Sequence, residues 1–148
     1  MENSQNYSNH TRWYPLVHFV IMPLLLLNLL EHLVRIYLAA TPSDRLEQAF
    51  WALLSVVLIL MTLASRLQSL TAQDRVIRME ERIRYKELLS SDLAQRASNL
   101  PTGQIIALRF ASDEELEGLV TQVLDGKLTT GKEIKMAVKN WRGDYLRV

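Results

Sequence analysis

The stretch "AFWALLSVVLILMTLASRLQSLTAQDRVIRMEERIR", Ala49 to Arg84, decides the fold. Its first half is close to pure hydrocarbon and its second half is crowded with Arg and Glu. Neither Gly nor Pro occurs from Ser43 through Leu100, so the residues that most readily end a helix are missing. The expectation is one long helix that starts in an apolar medium and runs on into water. "LTAQDRVIRMEERIRYKELLSSDLAQRA", Leu70 to Ala97, reads as its polar extension, broken only at "SNLPTG". Asp74–Arg78 and Glu80–Arg84 stand four apart, a spacing that supports a helix. Leu70, Val76, Ile77, Met79, Ile83, Leu88 and Leu89 keep no clean heptad, because Asp74, Glu81 and Arg84 interrupt the best seam. No long coiled coil is predicted.

Upstream lies a second apolar run, Trp13 to Leu38, with Trp13 and Tyr14 at one end and Tyr37 at the other. At about 1.5 Å per residue it covers a hydrocarbon core of about 30 Å. Pro23 lies inside it, which a membrane helix tolerates with a kink. The Ala49–Ala64 run is slightly short for a span. Phe50 and Trp51 anchor one end, and Arg66 snorkels at the other. A buried soluble helix is the alternative, and a second long apolar run beside it argues against that. A signal peptide is the competing reading of the first run, with Ala39 and Ala40 as a mock cleavage site. Only Arg12 supplies a positive side chain before it, and the run is too long and carries Glu31 and Arg35. The link "ATPSDRLEQ" is short and offers Pro42, Ser43 and Asp44 as a helix start. Two spans joined so closely form an antiparallel hairpin. The link holds one base, Arg45, whereas Arg66, Arg75, Arg78, Arg82, Arg84 and Lys86 follow the second span. The positive-inside rule then places both termini in the cytoplasm, with Arg12 beside the membrane.

Span one is not purely apolar. At about 100° per residue, His18, Asn28, Glu31, His32 and Arg35 fall within an arc of about 140°. Charge at the membrane centre costs about 2.5–3.5 kcal/mol on insertion scales, so this stripe is expected to face protein or water. Glu31 and Arg35 are four apart and can pair. The first reading is helix–helix packing, with Asn28 and His32 hydrogen-bonding across an interface. A second is a water-filled ion or proton path in an oligomer. A third is haem: His18 and His32 lie fourteen residues apart, nearly on one meridian, so two copies of span one would hold two haems. Asn, Glu and Arg explain the stripe without haem. His10, before the span, reads as a solvated or headgroup-contacting side chain.

Arg75, Arg78 and Arg82 share a helix face, either solvated or in contact with anionic headgroups or an acidic partner. After "SNLPTG" three short helices are expected. Ile105, Leu108 and Ala111 share a side of the first. Ser112 with Glu115 forms a capping box for the second, and Gly126 closes it. Leu116, Leu119, Val120, Val123 and Leu124 make its stripe. Thr130 with Glu133 caps the third, whose apolar positions are Ile134, Ala137, Val138 and Trp141. These pieces are too small to stand alone and should pack on one another and on the long helix. Lys132, Lys135 and Lys139 are offset by Asp113, Glu114, Glu115 and Glu117, and net charge is +1, so no nucleic-acid partner is expected. With Cys 0, disulfides and thiolate sites are excluded. No phosphate loop, nucleophile elbow or metal-binding helix occurs. "RGD" at Arg142–Asp144 is chance, within a terminal segment that docks Trp141, Tyr145 and Leu146.

Several strings, "QNYSNHTRWYPLVHFV", "QDRVIRMEERIR", "ALRFASDEEL", and "EIKMAVKNW" followed by "DYLRV", resemble a bacterial family of uncharacterised two-span membrane proteins. The likeness covers almost the whole chain. It implies a bacterial inner-membrane protein with a helical cytoplasmic tail, and brings no activity, cofactor or catalytic residue. The expected fold is therefore all-α: a membrane helical hairpin (13–70) whose second helix continues into a small cytoplasmic helical cap (71–148), after an amino-terminal tail (1–12). The expected role is a non-enzymatic accessory or scaffold subunit, with membrane lipid and other membrane subunits, or further copies of itself, as partners.

Overall fold

The computed structural model describes residues 5–10 and 13–145. Among them the chain is all-helical, with a single isolated bridge, Ala111 to Trp141, as its extended pairing. The six α-helices are α1 (Met22–Leu38), α2 (Pro42–Leu88), α3 (Ser91–Ser98), α4 (Thr102–Leu108), α5 (Asp113–Leu124) and α6 (Gly131–Ala137). Two compact units result. One is Trp13–Leu70; the other joins the amino-terminal segment to Thr71–Val148.

The first unit holds two long apolar helices. A π-helical turn, Leu16–Ile21, leads into α1, and the Met22 amide donates five residues back to the Val17 carbonyl. Pro23 is the physical reason. Its ring clashes with the carbonyl four residues earlier, and a widened turn moves that carbonyl aside. Leu16–Leu38 spans 23 residues, and none of α1 is buried. After Ala39 the chain turns within three residues. Thr41 Oγ1 accepts from the Asp44 amide at 3.1 Å, and Pro42 takes the first helical position, where its missing N–H costs nothing. From the π-turn along α1 the half-buried positions include Ile21, Leu25, Leu29, His32 and Ile36; along the first part of α2 they include Gln48, Ile59, Thr62 and Arg66, with Ala52 and Ser55 buried. This alternating spacing of three and four is a packing seam, and Ala52 and Ser55 let the backbones approach.

The second unit has a true core. Tyr85 and Leu89 meet Ala94 and Ala97 of α3, Ala107 and Leu108 of α4, Leu116, Leu119, Val120 and Val123 of α5, and Ile134 and Val138. The expected long helix ends earlier than the sequence suggested. It stops at Leu88, and Ser90, with ψ 154°, starts a separate α3. Ser90–Ser91–Asp92 is the cause, since Ser and Asp favour helix starts over helix interiors. At α6 both bonds of the Thr130–Glu133 capping box form; at α5 the Ser112 amide donates to Glu115 Oε1 at 3.3 Å. Gly126, φ +74°, closes α5: the Lys127 amide donates to the Gln122 carbonyl at 2.9 Å and the Gly126 amide to Val123 at 3.1 Å. That pair of bonds requires a left-handed residue at position 126, which only Gly adopts without strain. α4 and α6 lie so close that a Cβ on Gly131 would stand 3.2 Å from the Gly103 carbonyl oxygen.

Candidate functional site

Each unit gathers polar side chains in its own way. In the first unit the five residues of the polar stripe separate. Asn28 Nδ2 donates to Ser55 Oγ at 2.7 Å, and that hydroxyl donates to the Trp51 carbonyl at 2.9 Å. His32 Nδ1 lies 2.8 Å from Gln48 Oε1, and its ring stacks on Trp51 at 6.3 Å. Both residues of α1 therefore find partners on α2. The geometry answers the expectation of interhelical hydrogen bonding, with the interface lying inside one chain. Glu31 and Arg35 stand outside that seam. They pair with each other at 2.7 Å, with side chains 52% and 60% exposed. His18 contacts neither group. Its Nδ1 lies 2.9 Å from the Tyr14 carbonyl, and its ring meets Trp13 edge-on at 5.0 Å.

The second unit carries a charged clamp that the sequence reading missed. Arg84 is buried and donates to Asp113 Oδ1 (2.9 and 2.6 Å), to the Ala111 carbonyl (2.7 Å) and to Glu81 Oε2 (3.3 Å). It thereby fastens α2 to the start of α5. Arg84 thus pairs with Glu81 and Asp113, where Glu80 was expected, and Asp74 forms no ion pair with Arg78 among the described residues. Arg142 reaches the other Glu81 oxygen at 3.6 Å. Arg109 pairs with Asp144 at 3.1 Å while its guanidinium lies 4.4 Å from the Phe110 ring centre. The RGD residues Arg142 and Asp144 are thus ion-paired parts of this cap. Burial raises the Glu81 pKa, and the flanking Arg84, Arg142 and Arg109 charges only partly offset it. Burial, then the Glu81 charge, pushes the Tyr85 hydroxyl up as well. Glu81, Arg84, Arg109, Arg142 and Asp144 border a cleft of about 560 Å³. Each guanidinium already has a carboxylate, so the chemistry is that of a clasp between helices. A signal for it exists in the sequence: Ile77, Glu81, Arg84 and Tyr85 fall on one helical face, so two charges share the side of two core residues.

Arg75, Arg78 and Arg82 are not equivalent. Arg82 donates twice to the Ser98 carbonyl, at 3.3 and 3.1 Å, and so caps α3. Arg78 is half-buried and Arg75 is exposed. His10 is placed differently from the expectation of a solvated side chain. It stacks on Tyr7 (5.6 Å), meets Phe110 and Trp141 (both 5.9 Å), and its Nε2 lies 3.2 Å from Lys135 Nζ. Buried Gln5 accepts from the Asp144 amide at 2.7 Å. The amino-terminal segment therefore packs on the same unit as the carboxy-terminal helices. Trp141 docks as expected, Tyr145 is 46% exposed, and Arg12 and Leu146 lie outside the described residues.

A family model described as "Family of unknown function (DUF6526)" matches residues 1–148. The chain belongs to that family. No curated protein and no solved structure matches it. For this DUF6526 member, any functional reading therefore comes from its own geometry.

Proposed function

We propose that this chain is a non-enzymatic accessory or scaffold subunit of a bacterial inner-membrane assembly, both termini lying in the cytoplasm. One observation carries the assembly role: the Glu31–Arg35 pair lies on the flank of α1 that its own hairpin leaves half exposed. An ion pair in a span is costly against acyl chains, so a neighbouring polypeptide is the natural cover. Two further features support the membrane reading. The exterior of Trp13–Leu70 is apolar, with Phe19, Leu27, Leu30, Leu53 and Met61 each more than half exposed. The amino-terminal segment and Thr71–Val148 share one unit, as expected when two spans return the chain to its starting side. The basic residues after span two favour the cytoplasm for that side.

A pore lined by the whole stripe has less support, because Asn28 and His32 are engaged within the hairpin. Haem between two copies has less support for the same reason, since the His32 ring packs on Trp51 in that seam. Extraction in mild detergent followed by native mass measurement tests the assembly reading. The expected result is a complex larger than one chain and its lipid. A lone monomer at native abundance overturns it. An absorption spectrum with a Soret band would restore the haem alternative.

A further inference from the structure

The exposed side of α2 beyond Thr71 carries an apolar stripe that the cap does not use: Val76 (53% exposed), Met79 (65%) and Ile83 (58%). The cap covers the opposite side of the same helix, where Ile77, Glu81, Arg84 and Tyr85 are buried. Sorting the residues by face removes the interruption that hides a heptad in the sequence. Glu81 and Arg84 point inward, and Asp74 is half-buried on that side. What remains outside has a regular register. Val76 and Ile83 occupy a positions, and Ala72 and Met79 occupy d positions. Arg75 and Arg82 fall at g, Glu80 and Glu87 at e. β-Branched Val76 and Ile83 at a suit a two-stranded pair, with Met79 as the large apolar d residue. In a parallel pair, g of one helix faces e of the next heptad on the other, five residues on. Arg75 then meets Glu80 of the second copy, Arg82 meets its Glu87, and both contacts occur twice by symmetry.

We propose that this face is the seam of a parallel two-stranded coiled coil between two copies of the chain, over Ala72–Glu87. It deepens the assembly role proposed above and rests on it by naming a partner. The charge pattern selects a second copy. A lipid surface of negative sign would match Arg75 and Arg82 but repel Glu80 and Glu87, whereas a copy of the same helix matches all four. Arg82 donates two of its N–H groups to Ser98 and retains others for a carboxylate. Lys86, at the last d position, limits the seam to little more than two heptads. Confinement of both copies to one membrane raises their effective concentration and makes a short seam sufficient.

The chain has no cysteine, which makes disulfide trapping in the intact protein direct. Val76→Cys, Met79→Cys and Ile83→Cys are introduced singly into the full chain in native membranes, with Glu117→Cys, exposed on α5, as the collision control. On mild oxidation the three seam variants should form covalent dimers about tenfold faster than the control. In the Met79→Cys background, Arg75→Glu or Glu80→Arg should lower that rate, and the two together should restore it. Equal rates at seam and control positions overturn the proposal, as does a double charge swap that fails to restore trapping. The same membranes are examined by native mass. A larger complex without seam trapping removes this partner and leaves the assembly role standing; a lone monomer without trapping removes both.

Discussion

Arg84 shows how one side chain sets the cost of its neighbours. Glu81 is 3% exposed, and removing the nearest cation leaves its carboxylate buried and poorly compensated. Arg84→Met is expected to destabilise the cap by about 3–5 kcal/mol at neutral pH, read from thermal unfolding of the full chain in detergent. Glu81→Gln should cost far less, since it removes the charge whose burial is unfavourable. The sign of the pH effect follows from the raised pKa. Glu81 contributes its full stability below its ordinary value of 4.5 and loses it as pH rises through the folded value. Glu81→Gln should abolish that part of the decline above pH 4.5. Glu133 behaves in the opposite sense. The Thr129 and Thr130 amides donate to its carboxylate and hold its pKa down. Its contribution is present above 4.5 and lost as pH falls through the depressed value. A Glu133→Gln chain should be less stable than wild type at pH 7 and no different at pH 2.

At the scale of elements, α2 is the informative case. Its continuity was legible because nothing in Ser43–Leu100 forbids a helix. Its end was not, because Ser90–Ser91–Asp92 favour a helix start without forbidding continuation, and the packing of Ala94 and Ala97 in the core, which the sequence does not display, settles the break there. The Glu115 and Glu133 bonds to the helix-start amides at Ser112 and Thr130, and the close at Gly126, were legible because they are local bonds with fixed spacing. The clamp was not, since Asp113 and Arg84 are 29 residues apart and their meeting depends on the whole cap. The polar stripe of α1 was legible as a stripe, but its division between Asn28 and His32 on one side and Glu31 and Arg35 on the other is set by where α2 lies. A double-mutant cycle on Asn28→Leu and Ser55→Ala should give a coupling of about 0.6–1.7 kcal/mol, measured by unfolding in detergent. A coupling of zero would mean that this hydrogen bond does not hold the hairpin.

For the whole molecule the testable matter is sidedness. Residues 5–10 and the carboxy-terminal helices belong to one unit, so reporters fused at residue 1 and after residue 148 should report the same compartment, and an insertion at Ser43 the opposite one. A phosphatase reporter active at both ends, or at one end only, would contradict the cytoplasmic placement. His10→Ala should leave the insertion pattern unchanged and loosen the amino-terminal segment, read as faster proteolysis near residues 5–10.

The packing of residues 5–10 on the carboxy-terminal helices has a consequence for biogenesis. His10 meets Lys135 and Gln5 meets Asp144 across separations of 125 and 139 residues. Residues 5–10 leave the ribosome early, yet the surface that receives them is complete only when translation has passed Asp144. In the membrane arrangement proposed above, the leading segment waits untethered during that interval while both apolar helices insert. On that proposal, closure of residues 5–10 onto the carboxy-terminal surface is a late event that registers correct insertion, because a chain that threaded only one rod would leave the two in different compartments, unable to meet.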